Sequence, residues 1–207
     1  RMVNEMGEPR LAEVHRKTTE TSVELVLALD TAGDCVGSHQ TNISTGCAFL
    51  DHMLRLMAFH GRFGLGLHAT GDIEVDYHHV VEDVGICIGQ ALREALGDKQ
   101  GVGRFGSALV PMDDALSMAV VDLSGRPYLH FNVAIPCAKV GDFDTELVEE
   151  FMRAMANNGE FTLHIDLLHG ANTHHIIESV FKSLALALRQ AVAVNAMPSI
   201  PSTKGVL

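Results

Sequence analysis

The sequence lacks the features that mark membrane, secreted and nucleic-acid-binding proteins. Charged residues interrupt the apolar runs before they are long enough to span a bilayer, and the amino terminus is mixed in charge rather than basic and then apolar. No Lys/Arg block occurs, and 26 acidic side chains outnumber 15 basic ones, for a formal net charge of -11. This balance argues against a nucleic-acid surface and favours cations as ligands. We therefore expect a cytoplasmic protein with neither a nucleic acid nor a membrane as partner.

Closely spaced cysteines are also absent. The four cysteines, Cys35, Cys47, Cys87 and Cys137, never form a C-x-x-C pair, which argues against a disulfide framework and against a thiolate zinc site. The glycines form no P-loop, and no low-complexity linker divides the chain. With 207 residues, 47% of them hydrophobic, the chain can bury the core of one domain or of two small fused ones.

What the sequence does contain is an internal repeat. The segment HHVVEDVGICIGQALREAL (78–96) aligns without gaps with HHIIESVFKSLALALRQAV (174–192). The two segments are 96 residues apart, and the same spacing pairs His68 with His164, each preceded by a leucine. The repeated unit is therefore a strand, a loop and a helix that begins with two histidines.

The repeat extends upstream of these segments. DHMLRLMA (51–58) aligns with EEFMRAMA (149–156), which places Glu150 opposite His52. We infer two homologous halves, 1–100 and 101–207, within one compact domain, the second half including a carboxyl-terminal tail that binds substrate.

The apolar spacing predicts similar elements in both halves. Segments 21–29 and 116–123 have the pattern of strands, whereas 50–60 and 145–157 have helical spacing. The prediction is an α+β fold with internal duplication. Each half is a small mixed β-sheet with two helices on one face, and the helices pack between the sheets.

The paired histidines favour metal binding. Neighbours on a helix point about 100° apart, so His78 and His79 cannot easily bind one ion together, whereas Glu82 is within a turn of both. A cassette of this kind, two adjacent histidines with a glutamate one turn later, can therefore serve two ions. Mixed imidazole and carboxylate ligands suit Mn, Fe, Co or Zn. A single pair would more often be a surface feature, but its duplication favours a metal site.

Upstream of its cassette, each half adds one more potential ligand: His52 in the first half and Glu150 in the second. The candidate metal ligands are therefore eight: His52, His78, His79, Glu82, Glu150, His174, His175 and Glu178. For His68 and His164 we expect a role in packing or at the helix interface. The remaining histidines are assigned no chemistry: His15, His39, His60, His130 and His169.

Basic side chains in turns are candidate anion ligands. Arg104 lies in GVGRFG and Arg126 in SGRP, where a guanidinium can reach a phosphate. The tail PSTKGVL (201–207) adds Ser202, Thr203 and Lys204. Spacing alone leaves open whether these arginines only aid solubility and whether the tail is frayed.

Six motifs together resemble a known family. FLDHML, HHVVED, MDDAL, SGRP, HHIIES and STKG occur in this order and resemble imidazoleglycerol-phosphate dehydratase of histidine biosynthesis, in the monofunctional form without an attached phosphatase domain. The resemblance covers nearly the whole chain. It implies removal of water from imidazole-glycerol phosphate to give imidazole-acetol phosphate, with two Mn²⁺ ions per active site. It also implies a homo-oligomer of twenty-four subunits with active sites between subunits.

The resemblance also implies roles for individual residues. Seven of the eight candidates above become metal ligands. The exception is Glu150, where the family often has histidine: we keep it as a ligand because a carboxylate can also coordinate manganese, with the alternative that it holds only a water. The implied substrate or phosphate contacts are Glu20, Arg104, Arg126, Lys182, Ser202, Thr203 and Lys204. For proton transfer the candidates are Glu20 and Glu178, with Asp113 in support, because elimination next to a heteroaromatic ring needs a base at the adjacent carbon.

Two other functions are compatible with the ligands. A non-catalytic shell that stores manganese would need the histidines but not the arginines or the lysine-bearing tail. A binuclear metallohydrolase is the third possibility.

Overall fold

The computed structural model describes residues 10–30, 42–195 and 199–205; Cys35 and His39 lie outside these ranges. The first half contains β1 (Leu11–Lys17), β2 (Thr21–Ala28), β3 (Ile43–Ser44), α1 (Ala48–Gly61), β4 (Gly64–Gly71) and α2 (His78–Leu96). The second half contains β5 (Phe105–Met112), β6 (Ala115–Asp122), β7 (Tyr128–Asn132), β8 (Lys139–Val140), β9 (Phe143–Asp144), α3 (Leu147–Gly159), β10 (Thr162–His169) and α4 (Thr173–Val192). The four elements predicted above are present, with ends that differ by a residue or two.

The two main sheets have the same topology. The strand order is β1-β2-β4-β3 in the first sheet and β5-β6-β10-β7 in the second. In each sheet the first three strands are antiparallel, and the last strand runs parallel to its neighbour. Both sheets are therefore mixed, as the repeat predicts.

The described helices lie between the sheets in two pairs. Helix α1 packs against α4 and α2 against α3, while α2 covers the first sheet and α4 covers the second. Alternate strand residues face the helices, and Val23, Leu25 and Leu27 are at most 3% exposed. The predicted fold class is thus confirmed. Among the described residues, no helix has the length and apolar character needed to cross a membrane.

Two glycines let α2 approach α3 closely. A methyl group on Gly85 would lie 2.8 Å from the carbonyl oxygen of Phe151, and one on Gly89 would lie 2.5 Å from that of Met155. Because these contacts advance along both helices together, α2 and α3 run in the same direction. Their amino-terminal ends therefore lie at the same end of the pair, which puts Glu150 at the level of the first cassette.

Candidate active site

The two histidine cassettes occupy equivalent places at the starts of α2 and α4. The first cassette is His78, His79 and Glu82, and the second cassette is His174, His175 and Glu178. The Asp76 carboxylate accepts a hydrogen bond from the His78 N–H at 2.7 Å, and the Asn172 side chain accepts one from the His175 N–H at 3.2 Å. These bonds satisfy backbone donors that a helix start leaves free, so the cassettes have defined positions.

The second cassette lies next to a histidine from the other half. Glu178 Oε2 lies 3.2 Å from His174 Nε2 and 3.7 Å from His52 Nε2. Two donor atoms that share one tetrahedral ion at about 2.1 Å each lie roughly 3.4 Å apart, so these atoms fit a common cation. Within the described ranges, this is the one group of three His, Cys, Asp or Glu residues with ligand atoms all within 4.8 Å of one another.

Glu178 is buried and ionised. Burial raises the pKa of Glu178. The Lys182 ammonium, whose Nζ lies 2.5 Å from Oε1, lowers it through a hydrogen bond and its charge, and His174 lowers it further. The net result is a lowered pKa. Phe49 meets the His174 ring edge-on, with centroids 5.4 Å apart. The resemblance placed Lys182 among the substrate contacts, and in this chain it contacts Glu178 directly.

The second histidine of each cassette is oriented by a carboxylate. His79 Nδ1 lies 3.0 Å from Asp72 Oδ2, and His175 Nδ1 lies 2.6 Å from Asp114 Oδ1. A carboxylate at Nδ1 keeps the proton there and leaves the lone pair of Nε2 available to a ligand. The hydrogen bond that His79 donates to the Asp72 carboxylate also raises the pKa of His79.

Asp114 has further partners that fix its position. Its Oδ2 accepts hydrogen bonds from the backbone N–H groups of Ala171 and Asn172 at 2.7 and 2.9 Å. The pKa of this carboxyl lies well below its ordinary range. The largest cause is the hydrogen bond from the Asn172 N–H, followed by those from His175 and the Ala171 N–H. The sequence pattern indicates no role for Asp72 or Asp114. Asp114 lies in the quoted motif MDDAL, but Asp72 has no counterpart in the repeat.

Two equivalent hairpin turns place an acid beside the free nitrogen of these histidines. Glu20, in the β1–β2 turn, has Oε2 at 3.8 Å from His79 Nε2. Asp113, in the β5–β6 turn, has Oδ2 at 3.7 Å from His175 Nε2. Both distances exceed a hydrogen bond. The structure thus brings two of the three predicted proton-transfer residues to equivalent positions.

The turn that holds Glu20 is fixed to α2 through a buried acid. Asp83 is 6% exposed and accepts hydrogen bonds from Thr21 Oγ1 and from Arg16 Nε, the latter at 2.9 Å. The Thr18 side chain accepts hydrogen bonds from the Glu20 and Thr21 N–H groups. Asp83 therefore positions the β1–β2 turn over the first cassette, a role not visible in the sequence.

The predicted anion ligands lie in a second region, around the ends of β5 and β6. Arg104 Nε donates to Asp122 Oδ1 at 2.7 Å, and its Nη1 donates to the carbonyl oxygen of Pro201 at 2.8 Å. This bond holds the tail segment that leads into Ser202, Thr203 and Lys204. Arg126 Nη1 donates to the carbonyl oxygen of Ser124 at 3.3 Å.

The architecture and the candidate ligands characterise this protein. It is a duplicated α+β protein with two mixed sheets around two helix pairs, in which each half presents histidines and carboxylates at a helix start. The family model described as imidazoleglycerol-phosphate dehydratase matches residues 45–188. The chain therefore belongs to the imidazoleglycerol-phosphate dehydratase family, and as a family member it is an enzyme, a hydro-lyase.

Individual relatives agree with the family model. The chain is 57% identical over 198 residues to imidazoleglycerol-phosphate dehydratase of Desulforudis audaxviator, covering 96% of this chain and 98% of that protein. The enzyme of Pelotomaculum thermopropionicum is 56% identical with the same coverage. The crystal structure from Staphylococcus aureus has a TM-score of 0.78 at 43% identity, covering 89% of this chain and 99% of that one. That from Pyrococcus furiosus has a TM-score of 0.78 at 38% identity, covering 94% and 100%.

Proposed function

We propose that this chain removes water from the glycerol chain of imidazole-glycerol phosphate to give imidazole-acetol phosphate, in a manganese-dependent step of histidine biosynthesis. One observation supports this most strongly. In each half a carboxylate lies at Nδ1 of the second cassette histidine, and a hairpin acid lies beside its Nε2. Two similar ligand sets suit a substrate ring with two nitrogens.

The residues proposed to hold two Mn²⁺ ions per active site are those of the two cassettes with His52 and Glu150. The distances of 3.2 and 3.7 Å from Glu178 to His174 and His52 fit ligands of one ion. Mixed imidazole and carboxylate donors suit manganese among other divalent ions. When bound, the ions would supply positive charge that stabilises electron density in the substrate imidazole.

Proton transfer is proposed for Glu20 and Glu178, with Asp113 in support. Loss of the hydroxyl requires a base that takes a proton from the adjacent carbon and an acid that returns one afterwards. The Glu20 side chain is 53% exposed on its turn and can reach a substrate. Glu178 is held by Lys182 and the two histidines beside it, so Glu20 is the better candidate for the mobile proton.

The phosphate is proposed to bind to Arg104, Arg126, Lys182, Ser202, Thr203 and Lys204. The hydrogen bond from Arg104 to Pro201 holds the tail beside a guanidinium. Asp122 neutralises part of the Arg104 charge and Glu178 part of the Lys182 charge, so Lys204 must supply much of the attraction for a dianion.

We also propose assembly into a shell of twenty-four subunits with active sites between subunits. The described part of the chain brings three ligands together around Glu178, and a partner subunit would complete the remaining coordination. Exposed apolar side chains, including Phe59 at 78% and Val75 at 68%, are the kind of surface that subunit contacts bury.

The test is turnover of imidazole-glycerol phosphate by the purified protein after chelation and after Mn²⁺ is restored. We expect formation of imidazole-acetol phosphate only with the metal, and Glu20→Gln should bind Mn²⁺ normally with little turnover. Tight binding of Mn²⁺ without any dehydration would instead support the storage shell. Hydrolysis of phosphate from the substrate would support the metallohydrolase.

A further inference from the structure

The guanidinium of Arg104, a proposed phosphate ligand, is held from two sides. Asp122 Oδ1 accepts a hydrogen bond from Arg104 Nε at 2.7 Å, and Asp122 Oδ2 accepts one from Nη2 at 3.3 Å. The carbonyl oxygen of Pro201 accepts a third bond, from Nη1, at 2.8 Å. A guanidinium has five N–H donors, and the described residues occupy three of them. One N–H therefore remains on each terminal nitrogen, and an anion can bind there without displacing Asp122 or Pro201.

The backbone and the neighbours of Arg104 restrict it further. Its φ of 68° lies in the left-handed region, which residues other than glycine rarely adopt. Its N–H donates to the Ala191 carbonyl oxygen at 2.9 Å, and its carbonyl oxygen accepts from the Leu123 N–H at 3.0 Å. The guanidinium carbon lies 4.6 Å from the centroid of the Phe105 ring. The side chain is 16% exposed, so its contacts determine the direction in which the guanidinium points.

Asp122 stands on a well-supported part of the sheet. It is the last residue of β6 and is paired on one side with Phe105 of β5 and on the other with Thr162 of β10. The next residue is fixed as well, because the buried Lys99 donates from Nζ to the Leu123 carbonyl oxygen at 3.3 Å. A strand paired on both sides holds a side chain more precisely than a loop does. Asp122 can therefore serve as a fixed support for the guanidinium.

We propose that Asp122 is a positioning residue for the substrate phosphate and acts through Arg104. The carboxylate holds the guanidinium along its Nε and Nη2 edge and directs the two remaining N–H groups toward the phosphate. This inference rests on the proposed function, in which Arg104 binds that phosphate. A ligand misplaced by about 1 Å can lose about a hundredfold in its effect. Because Asp122 acts on binding and not on the reacting carbon, its loss should change KM more than kcat.

The position and the charge of Asp122 lead to opposite expectations. The carboxylate also repels an anion, so if only its charge mattered, Asp122→Asn would bind phosphate more tightly and Asp122→Glu would bind it unchanged. Positioning predicts weaker binding in both variants. The asparagine NH₂ group cannot accept from Arg104 Nη2, and the glutamate carboxylate is displaced by one methylene group. The sign of the change therefore distinguishes the two roles.

The first half of the chain contains a matched arginine pair. Arg10 immediately precedes β1 as Arg104 precedes β5. Arg10 Nε donates to Asp30 Oδ2 at 2.8 Å, Nη2 donates to Oδ1 at 2.5 Å, and Nη1 donates to the carbonyl oxygen of Val192 at 2.7 Å. The donors are thus used in the same way, but no substrate contact is proposed at Arg10. Asp30→Asn and Asp30→Glu therefore show what loosening such a pair does to stability alone.

The experiment measures binding of inorganic phosphate to the assembled, Mn²⁺-loaded protein by equilibrium dialysis, which needs no turnover, and then KM and kcat for dehydration. We expect Asp122→Asn and Asp122→Glu each to raise the Kd for phosphate and the KM by about tenfold or more, with kcat within about threefold of wild type. Both Asp30 variants should match the wild type in phosphate binding, and thermal unfolding will show that each protein is folded. Unchanged or tighter phosphate binding in either Asp122 variant would overturn the proposal.

Arg104→Ala separates a failure of this inference from a failure of the proposed function. We expect it to weaken phosphate binding at least as much as the Asp122 variants do. If Arg104→Ala weakens binding and the Asp122 variants do not, Arg104 remains a phosphate ligand and Asp122 has only a structural role. If Arg104→Ala binds phosphate as the wild type does, the positioning role of Asp122 is refuted together with the phosphate role of Arg104.

Discussion

Asp114→Asn should weaken metal binding because an amide cannot replace both functions of this carboxylate. Oδ2 of Asp114 accepts two backbone N–H groups, and Oδ1 lies 2.6 Å from His175 Nδ1. The single amide oxygen will stay with the two backbone donors, which turns the NH₂ group toward His175. Since NH₂ only donates, His175 must then accept at Nδ1 and carry its proton on Nε2, where a metal would bind.

The expected magnitude follows from this loss of the ligating tautomer. Removal of a carboxylate that orients a metal-bound histidine typically costs about 10–100-fold in affinity, which is about 1.4–2.7 kcal/mol. Asp72→Asn should cost less than about tenfold, because both Asp72 oxygens face His79 Nδ1, at 3.2 and 3.0 Å, and the amide can turn its own oxygen there.

The assay is competition for Mn²⁺ between the protein and a chelator of known affinity, with turnover measured on the same samples. Asp98→Asn is the control, since Asp98 accepts a hydrogen bond from the Gln100 N–H on the surface, away from the cassettes. Thermal unfolding will show that each variant is folded. Unchanged affinity in Asp114→Asn, or a larger loss in Asp72→Asn, would refute the argument.

Three further predictions concern assembly, thiol reactivity and packing. Thorough chelation should lower the mass measured by light scattering as well as stop turnover, because an ion held between subunits stabilises only the assembled state; a full-mass particle without metal would contradict shared sites. Burial raises the pKa of Cys87 to about 11, so iodoacetamide at pH 8 should label exposed Cys137 well before Cys87. The protonated Cys87 thiol also stabilises the fold below the ordinary thiol pKa of about 8.5, and this contribution should be lost as the pH rises through about 11. Gly106→Ala would place a methyl group 1.9 Å from the Ala187 carbonyl oxygen. In denaturant unfolding it should lower the free energy of unfolding by about 1–3 kcal/mol or more. Gly66→Ala is the control, because a methyl group there meets nothing within 4 Å and should show no such packing cost.

The helices and strands named in the sequence analysis, and the internal repeat, can be predicted from the sequence alone. Helical and strand periodicity depend on neighbours within one turn or one pleat, so the strands, the helices and the cassettes at the starts of α2 and α4 follow from local spacing. The family was likewise evident from the order of six short motifs. These are properties that the chain has before it folds.

Which residues come into contact depends on tertiary packing. The repeat associates His52 with the first cassette along the chain, yet His52 lies beside Glu178 of the second because α1 packs on α4. Asp72 and Asp114 orient equivalent histidines from different elements, a loop and a hairpin turn, so no repeat predicts both. Strand register alone puts His130 against His164. Each of these contacts joins residues far apart in sequence, and it depends on how whole sheets and helices pack rather than on any local pattern.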